Sequence, residues 1–128
     1  LKEAIRTDKA PPAVGPYSQG IRAGNLVFTS GQLPAKPTGE LTSGDIAAAT
    51  RQSLENVRAV LEAASAHMDD VIKVTIFLAD MADFTTVNAA YEEFFTGVPP
   101  ARSCVQVAAL PKGAPIEIEA VAHLSQPG

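Results

Sequence analysis

Arg102 follows Pro99-Pro100-Ala101 and opens a stretch, Arg102 to Ala109, that is otherwise largely apolar. A permanent cation is costly in such a place unless it is paired or sits at an exposed strand end. Its planar guanidinium can bind a carboxylate through two parallel hydrogen bonds, about 1.5–3 kcal/mol when charge-assisted. The pattern therefore offers two readings, an ion pair with Glu117 or Glu119, or a clamp for a small carboxylate compound, and taken alone it favours the ion pair. Glu117 and Glu119 alternate along one strand face in the segment IEIEA. If that face is sheltered from water, the two carboxylates disfavour double ionisation, and one can carry a proton. General acid–base assistance of that kind contributes about 10²–10⁴-fold, although a solvated strand face is the plainer reading. Cys104 shares the face of Arg102. As a thiolate nucleophile it would need a base or a cationic neighbour, and a small buried strand residue is the simpler role. Tyr17 ends a loop segment two residues after Gly15 and Ser30 ends a strand segment beside Gly31, places where side chains commonly face a pocket. His67 and His123 receive no role.

These residues need elements to hold them. Residues 8–20 (DKAPPAVGPYSQG) carry prolines and glycines incompatible with a helix and read as a loop leading into a strand. Ile21–Gly24 and Asn25–Ser30 form a hairpin around Ala23-Gly24-Asn25. After a loop over 34–44, Asp45 caps a helix running to about Ala66, with Ile46, Ser53, Leu54, Val57, Leu61 and Ala64 on its core face. Arg51, Glu55, Arg58 and Glu62 lie on its outer face at pairing distance. Val71–Leu78 (VIKVTIFL) is apolar at nearly every position, as for a strand covered on both faces. Asp83 caps a second helix, Phe84–Thr96, with an aromatic stripe of Phe84, Tyr91, Phe94 and Phe95. Two strands close the chain, Arg102–Ala109 and Ile116–Leu124. In the latter, Glu117, Glu119, Val121 and His123 share one side, and Ile116, Ile118, Ala120 and Ala122 the other.

Strands, helix, strand, helix, strands predict an α/β sandwich of the α+β kind: a mixed, mostly antiparallel sheet with two helices on one face. Two helices cannot cover both faces, so a closed homo-oligomer is expected to supply the second cover.

The composition narrows the function classes. The chain of 128 residues is read as one domain, 1–128, with 46% hydrophobic and 19% charged residues. No apolar run approaches the roughly 20 residues of a membrane span. Ten basic against fourteen acidic residues give a net charge of -4, so nucleic acid is not the expected partner. The basic cluster Lys2, Arg6 and Lys9 reads as a solvated N-terminal segment. One cysteine excludes an internal disulfide and fits a reducing, cytoplasmic setting. The absence of a charged segment leading into an apolar core argues against a secretory signal. No zinc-ligand spacing exists, so no metal is implied.

Four segments then add a resemblance spanning essentially the whole chain: APPAVGPYSQG, VFTSGQLP, VNAAYEEFF and PARSCVQVAALPKGAPIEIEAVA. Together they closely resemble the reactive intermediate deaminase family, also called the YjgF or RidA type. The resemblance implies a chorismate-mutase-like α/β fold, a homotrimer and ligand pockets between subunits. It implies hydrolysis of enamine and imine intermediates, such as 2-aminoacrylate and 2-aminocrotonate, to 2-oxo acids and ammonia without a cofactor. Within it, Arg102 is similar to the carboxylate clamp and Glu117 to the residue that positions or activates water, which leaves Glu119 structural. Tyr17, Ser30, Gly31, Asn88 and Cys104 match pocket-lining positions, Gly31 and Cys104 through backbone groups. The chain departs from the family pattern at Thr96-Gly97-Val98-Pro99, where the link into the PARSC strand is shorter and Pro99 replaces a common aromatic, which bears on the pocket rim. Two other readings remain: an RNA-directed endoribonuclease or translation inhibitor, against which the net charge argues, and a trimer that binds 2-oxo acids without turnover.

Overall fold

The structure is a computed structural model that describes residues 1–42 and 44–125. Six strands form one sheet: β1 (Lys2–Ile5), β2 (Gly20–Ala23), β3 (Leu26–Thr29), β4 (Val71–Leu78), β5 (Ala101–Gln106) and β6 (Ile116–His123). Their order across the sheet is β1-β2-β3-β6-β4-β5. Only β4 and β5 run parallel; the other neighbours are antiparallel. The helices α1 (Ile46–Ala63) and α2 (Phe84–Glu92) pack with one face of this sheet, as the strand–helix order predicts.

The first helix forms where a cap and an apolar stripe coincide. Asp45 accepts a hydrogen bond from the Ala48 amide at 2.9 Å, satisfying one of the amides that a helix start leaves unpaired. Behind it, Ala49, Ser53, Leu54, Val57, Val60 and Leu61 are buried at helical spacing. The helix stops three residues before the expected Ala66, because Ser65 adopts a left-handed φ of 64° and the chain turns. On the outer face Arg58 pairs with Glu55 at 2.6 Å, but Arg51 reaches across to Glu93, 2.9 Å away, at the end of α2.

The second helix is shorter than its pattern suggests and starts differently. It ends at Glu92 and not Thr96; the Phe94 and Phe95 amides bond back three residues, to Tyr91 and Glu92, so the last turn tightens. Both phenylalanines still pack on the core. Asp83 has helical dihedrals and makes no side-chain capping bond. The cap lies three residues earlier, where Asp80 accepts from the Ala82 amide at the start of a 3₁₀ turn over Met81–Asp83.

The sheet brings one addition and one refinement. The segment read as solvated contains β1, which pairs with β2 from Lys2↔Ala23 to Ile5↔Gly20. Only Ile5 of this strand is buried, so the outermost strand carries charge and lacks the apolar alternation that would mark it. In β4 the register shifts between Val71 and Lys73. Val74, Ile76 and Leu78 are buried under the helices, whereas Lys73, Thr75 and Phe77 face the other way and are only partly covered. The same open face shows Phe28 at 39% and Val105 at 43% exposure. The predicted faces of β6 hold: Ile116, Ile118, Ala120 and Ala122 are buried, and the glutamates point away.

Candidate functional site

Glu117 sits opposite Phe77 in the β4–β6 pairing, and Glu119 opposite Thr75, on the open side of the sheet. The carboxyl of Glu117 is half-buried and has no hydrogen-bond partner among the described residues. Burial raises its pKa above the ordinary 4.5, and the neighbouring Glu119 raises it further. Gly31 lies against it: a Cβ at Gly31 would stand 2.7 Å from Glu117 Cδ, so the carboxyl occupies space that only glycine leaves open.

Around this carboxyl lies a cleft of about 730 Å³, lined among others by Tyr17, Ser30, Gly31, Leu33, Lys112 and Glu117. Its walls are loops fixed by buried polar anchors. Gln19 accepts from the Thr7 amide at 2.8 Å and donates to the Thr7 and Pro11 carbonyls at 3.0 and 2.8 Å, which fastens the proline-rich segment. Ser30 donates its hydroxyl to the Ser18 carbonyl at 2.6 Å. Gln32 and Ile118 exchange backbone hydrogen bonds at 2.7 and 3.1 Å, which docks the chain after Gly31 onto β6. Asn56, buried in α1, donates to the carbonyls of Leu33 and Ala35 at 3.1 and 2.7 Å. Lys112, at a left-handed φ of 60°, donates to the Gly39 carbonyl at 2.9 Å and closes the rim. Gln19, Asn56 and Lys112 escape the reading of the sequence. A polar residue inside an apolar helix stripe, as Asn56 is, is the one signal that could have marked any of them.

Arg102 lies elsewhere. It pairs with Val74 in the parallel β4–β5 ladder and so shares the helix side of the sheet with Cys104, opposite Ile76. Its Nη1 donates to Asn88 Oδ1 at 2.6 Å. The guanidinium carbon stands 4.9 Å from the Tyr91 ring centroid and 5.6 Å from that of Phe84. No carboxylate pairs with it among the described residues, so the ion pair with Glu117 or Glu119 suggested by pattern does not form; the sheet stands between them. Burial pushes the Cys104 thiol up, only partly offset by the Arg102 charge. That protonated state suits a packing residue better than a nucleophile.

The predicted site residues thus fall into two groups. Tyr17, Ser30, Gly31 and Glu117 meet in the cleft, and Asn88, Arg102 and Cys104 meet under α2. Among the described residues no three His, Cys, Asp or Glu side chains cluster as metal ligands, and no helix is long and apolar enough to cross a membrane.

Known proteins share both the sequence and this fold. A 2-iminobutanoate/2-iminopropanoate deaminase of Escherichia coli is 53% identical over 126 residues, covering 95% of this chain and 98% of the relative. The crystal structure of the YjgF gene product from E. coli superposes with a TM-score of 0.91 at 53% identity, over 94% of this chain and 98% of that one. E. coli TdcF, solved with bound serine, gives 0.92 at 49% identity, over 96% and 99%. The family model described as Endoribonuclease L-PSP matches residues 7–124. The chain therefore belongs to the Endoribonuclease L-PSP family, in which its near relatives include the YjgF-type imine deaminases that its motifs resemble.

Proposed function

We propose that this chain hydrolyses small 2-imino acids and their enamine tautomers, 2-iminopropanoate and 2-iminobutanoate among them, to 2-oxo acids and ammonia. The observation that carries this reading is the state of its two ionisable groups: Arg102 is held by an amide and two rings, Glu117 faces the cleft, and neither has an ion-pair partner among the described residues. An unneutralised guanidinium is a carboxylate receptor, with a planar fork that matches both oxygens. A carboxyl whose pKa is raised by burial is a competent proton carrier.

The chemistry asks little more. The imine carbon is already electrophilic, so binding the carboxylate fixes it in place and a water positioned by Glu117 adds to it. Glu117 takes a proton from that water as the C–O bond forms and returns it to nitrogen. As the C–N bond then breaks, the hydroxyl proton of the adduct passes through Glu117 to the departing nitrogen, so ammonia leaves and the carbonyl remains. Water and imine supply every atom of the products, and neither a cofactor nor a covalent nucleophile takes part, which leaves Cys104 to packing and to its backbone groups. Tyr17, Ser30, Gly31 and Asn88 shape the pocket.

Because the two groups stand on opposite sides of one sheet, the working site joins Arg102 of one copy to Glu117 of another. A contact between different surfaces of identical chains closes into a ring when the rotation between copies divides a full turn, and a homotrimer with intersubunit sites fits the open sheet face of each chain. Arg102→Lys is the direct test: in an assay fed by a dehydratase that releases the imine, 2-oxo acid formation should fall by at least about tenfold, since an ammonium cannot reproduce the fork. Undiminished release would remove the clamp.

The family's description carries a second reading, RNA cleavage. The net charge of -4 weighs against it. Salt-dependent RNA binding that survives Arg102→Ala would favour it.

A further inference from the structure

Phe84, Asn88 and Tyr91 stand at i, i+4 and i+7 on α2, the spacing of one helix face. All three meet the guanidinium of Arg102, Asn88 through a hydrogen bond and the rings at 5.6 and 4.9 Å. We infer that Phe84 and Tyr91 are positioning residues, a two-ring bracket whose faces meet the Arg102 guanidinium and so hold it oriented and unneutralised for the carboxylate of the substrate. This inference rests on the clamp reading above and names the part of the helix that makes the clamp work.

The physical reason lies in what each kind of partner does to a cation. An acidic side chain would fix the guanidinium but cancel its charge, and a substrate carboxylate would have to displace it. A ring face attracts the cation through its quadrupole and leaves the formal charge intact. Burial raises the Tyr91 hydroxyl pKa above the phenol range, with Arg102 pulling the other way, so Tyr91 is neutral and cannot act as the missing anion. Asn88 is neutral as well and takes one N–H. The guanidinium carries five, and no other protein acceptor for them is found among the described residues. The edge turned away from Asn88 is therefore available for a two-point contact. The aromatic stripe of α2 thus has two uses: Tyr91 is buried in the core, whereas Phe84 is only partly covered.

The test is a double-mutant cycle on the intact protein, with 2-oxobutanoate as an unreactive probe of carboxylate binding, titrated by NMR. Phe84→Leu keeps apolar volume and removes a ring face, and it should raise Kd for 2-oxobutanoate by about threefold to tenfold. In an Arg102→Ala background the same substitution should change Kd by less than about twofold, since Phe84 acts only through the arginine. Tyr91→Leu should behave like Phe84→Leu, and Tyr91→Phe, which restores the ring, should recover most of the lost affinity. Steady-state kinetics on the imine should place the loss mainly in KM. An unchanged Kd in folded Phe84→Leu, or an equal loss in both backgrounds, overturns the bracket. Arg102→Lys in the same titration separates the two readings: if it too leaves Kd unchanged, the clamp falls with the bracket, and if it weakens binding while Phe84→Leu does not, the bracket alone falls.

Discussion

Burial and Glu119 both act on Glu117 in the same direction, toward the protonated carboxyl. The folded chain consequently binds this proton more tightly than the unfolded chain does. Its contribution to stability is complete below the ordinary value of 4.5 and is lost as pH rises through the higher folded value. Glu117→Gln should therefore abolish turnover yet stabilise the fold at neutral pH, by about 1 kcal/mol or less after solvent screening. That gain should vanish in acid, and thermal melts of both proteins across the pH range check it; a constant difference would contradict the assigned cause. Gly31 makes the complementary point. In Gly31→Ala the new methyl meets the Glu117 carboxyl at 2.7 Å, so this carboxyl, the far end of a flexible side chain, must swing aside, at little cost to stability. Activity should fall by at least about tenfold while the protein still folds, as measured by kcat/KM beside a urea titration.

The elements place these residues through a few polar anchors as much as through the apolar core. Asn56 reaches from α1 to the carbonyls of Leu33 and Ala35 and fixes the cleft's far wall. Asn56→Ala leaves the buried Ala35 carbonyl without its donor, whereas the Leu33 carbonyl keeps the Ala35 amide at 2.8 Å, and should cost about 1–2 kcal/mol in urea unfolding. It should also raise KM, because the wall it anchors lines the cleft; an unaltered unfolding midpoint would mean that the loop holds without it. α2 shows how an element serves two surfaces at once. Val87, Ala90 and Tyr91 are buried, and the face carrying Phe84 and Asn88 meets Arg102 on β5. The tightened turn after Glu92 keeps Phe94 and Phe95 on the core although the helix has ended.

For the molecule as a whole, the placement of Arg102 and Glu117 on opposite sides of the sheet, with the shared site proposed from it, sets the strongest expectation. A chain that contributes Arg102 to one cleft and Glu117 to another can be complemented. Arg102→Ala and Glu117→Gln chains, each inactive alone, should regain a measurable share of wild-type turnover when unfolded together and refolded, because mixed assemblies contain clefts with both residues intact. Mixed samples as inactive as their parents would place both residues in one chain's site and refute the shared cleft. The open face that carries Phe28 and Val105 predicts a matching physical result, a trimer mass by light scattering at micromolar concentration.

Much of this protein is determined locally and is legible in its sequence. Helix periodicity, the Asp45 cap, the Gly24 turn and the alternation of IEIEA follow from 3.6-residue and two-residue geometry that operates within a few residues. These gave α1, the hairpin, β6 and the correct face for Glu117. Four family segments named the candidate residues one by one. β1 had no such local mark, since a charged edge strand is defined by the strand that it pairs with. Nor could alternation within each strand say whether Arg102 and Glu117 share a side. That depends on how separate strands stack in register, and only the tertiary structure decides it: Val74 carries Arg102 under the helices, and Phe77 carries Glu117 to the open face. The same packing decided that rings and an amide hold the guanidinium, and that no acid among the described residues does, because the partners of a side chain are chosen by the elements that meet over it.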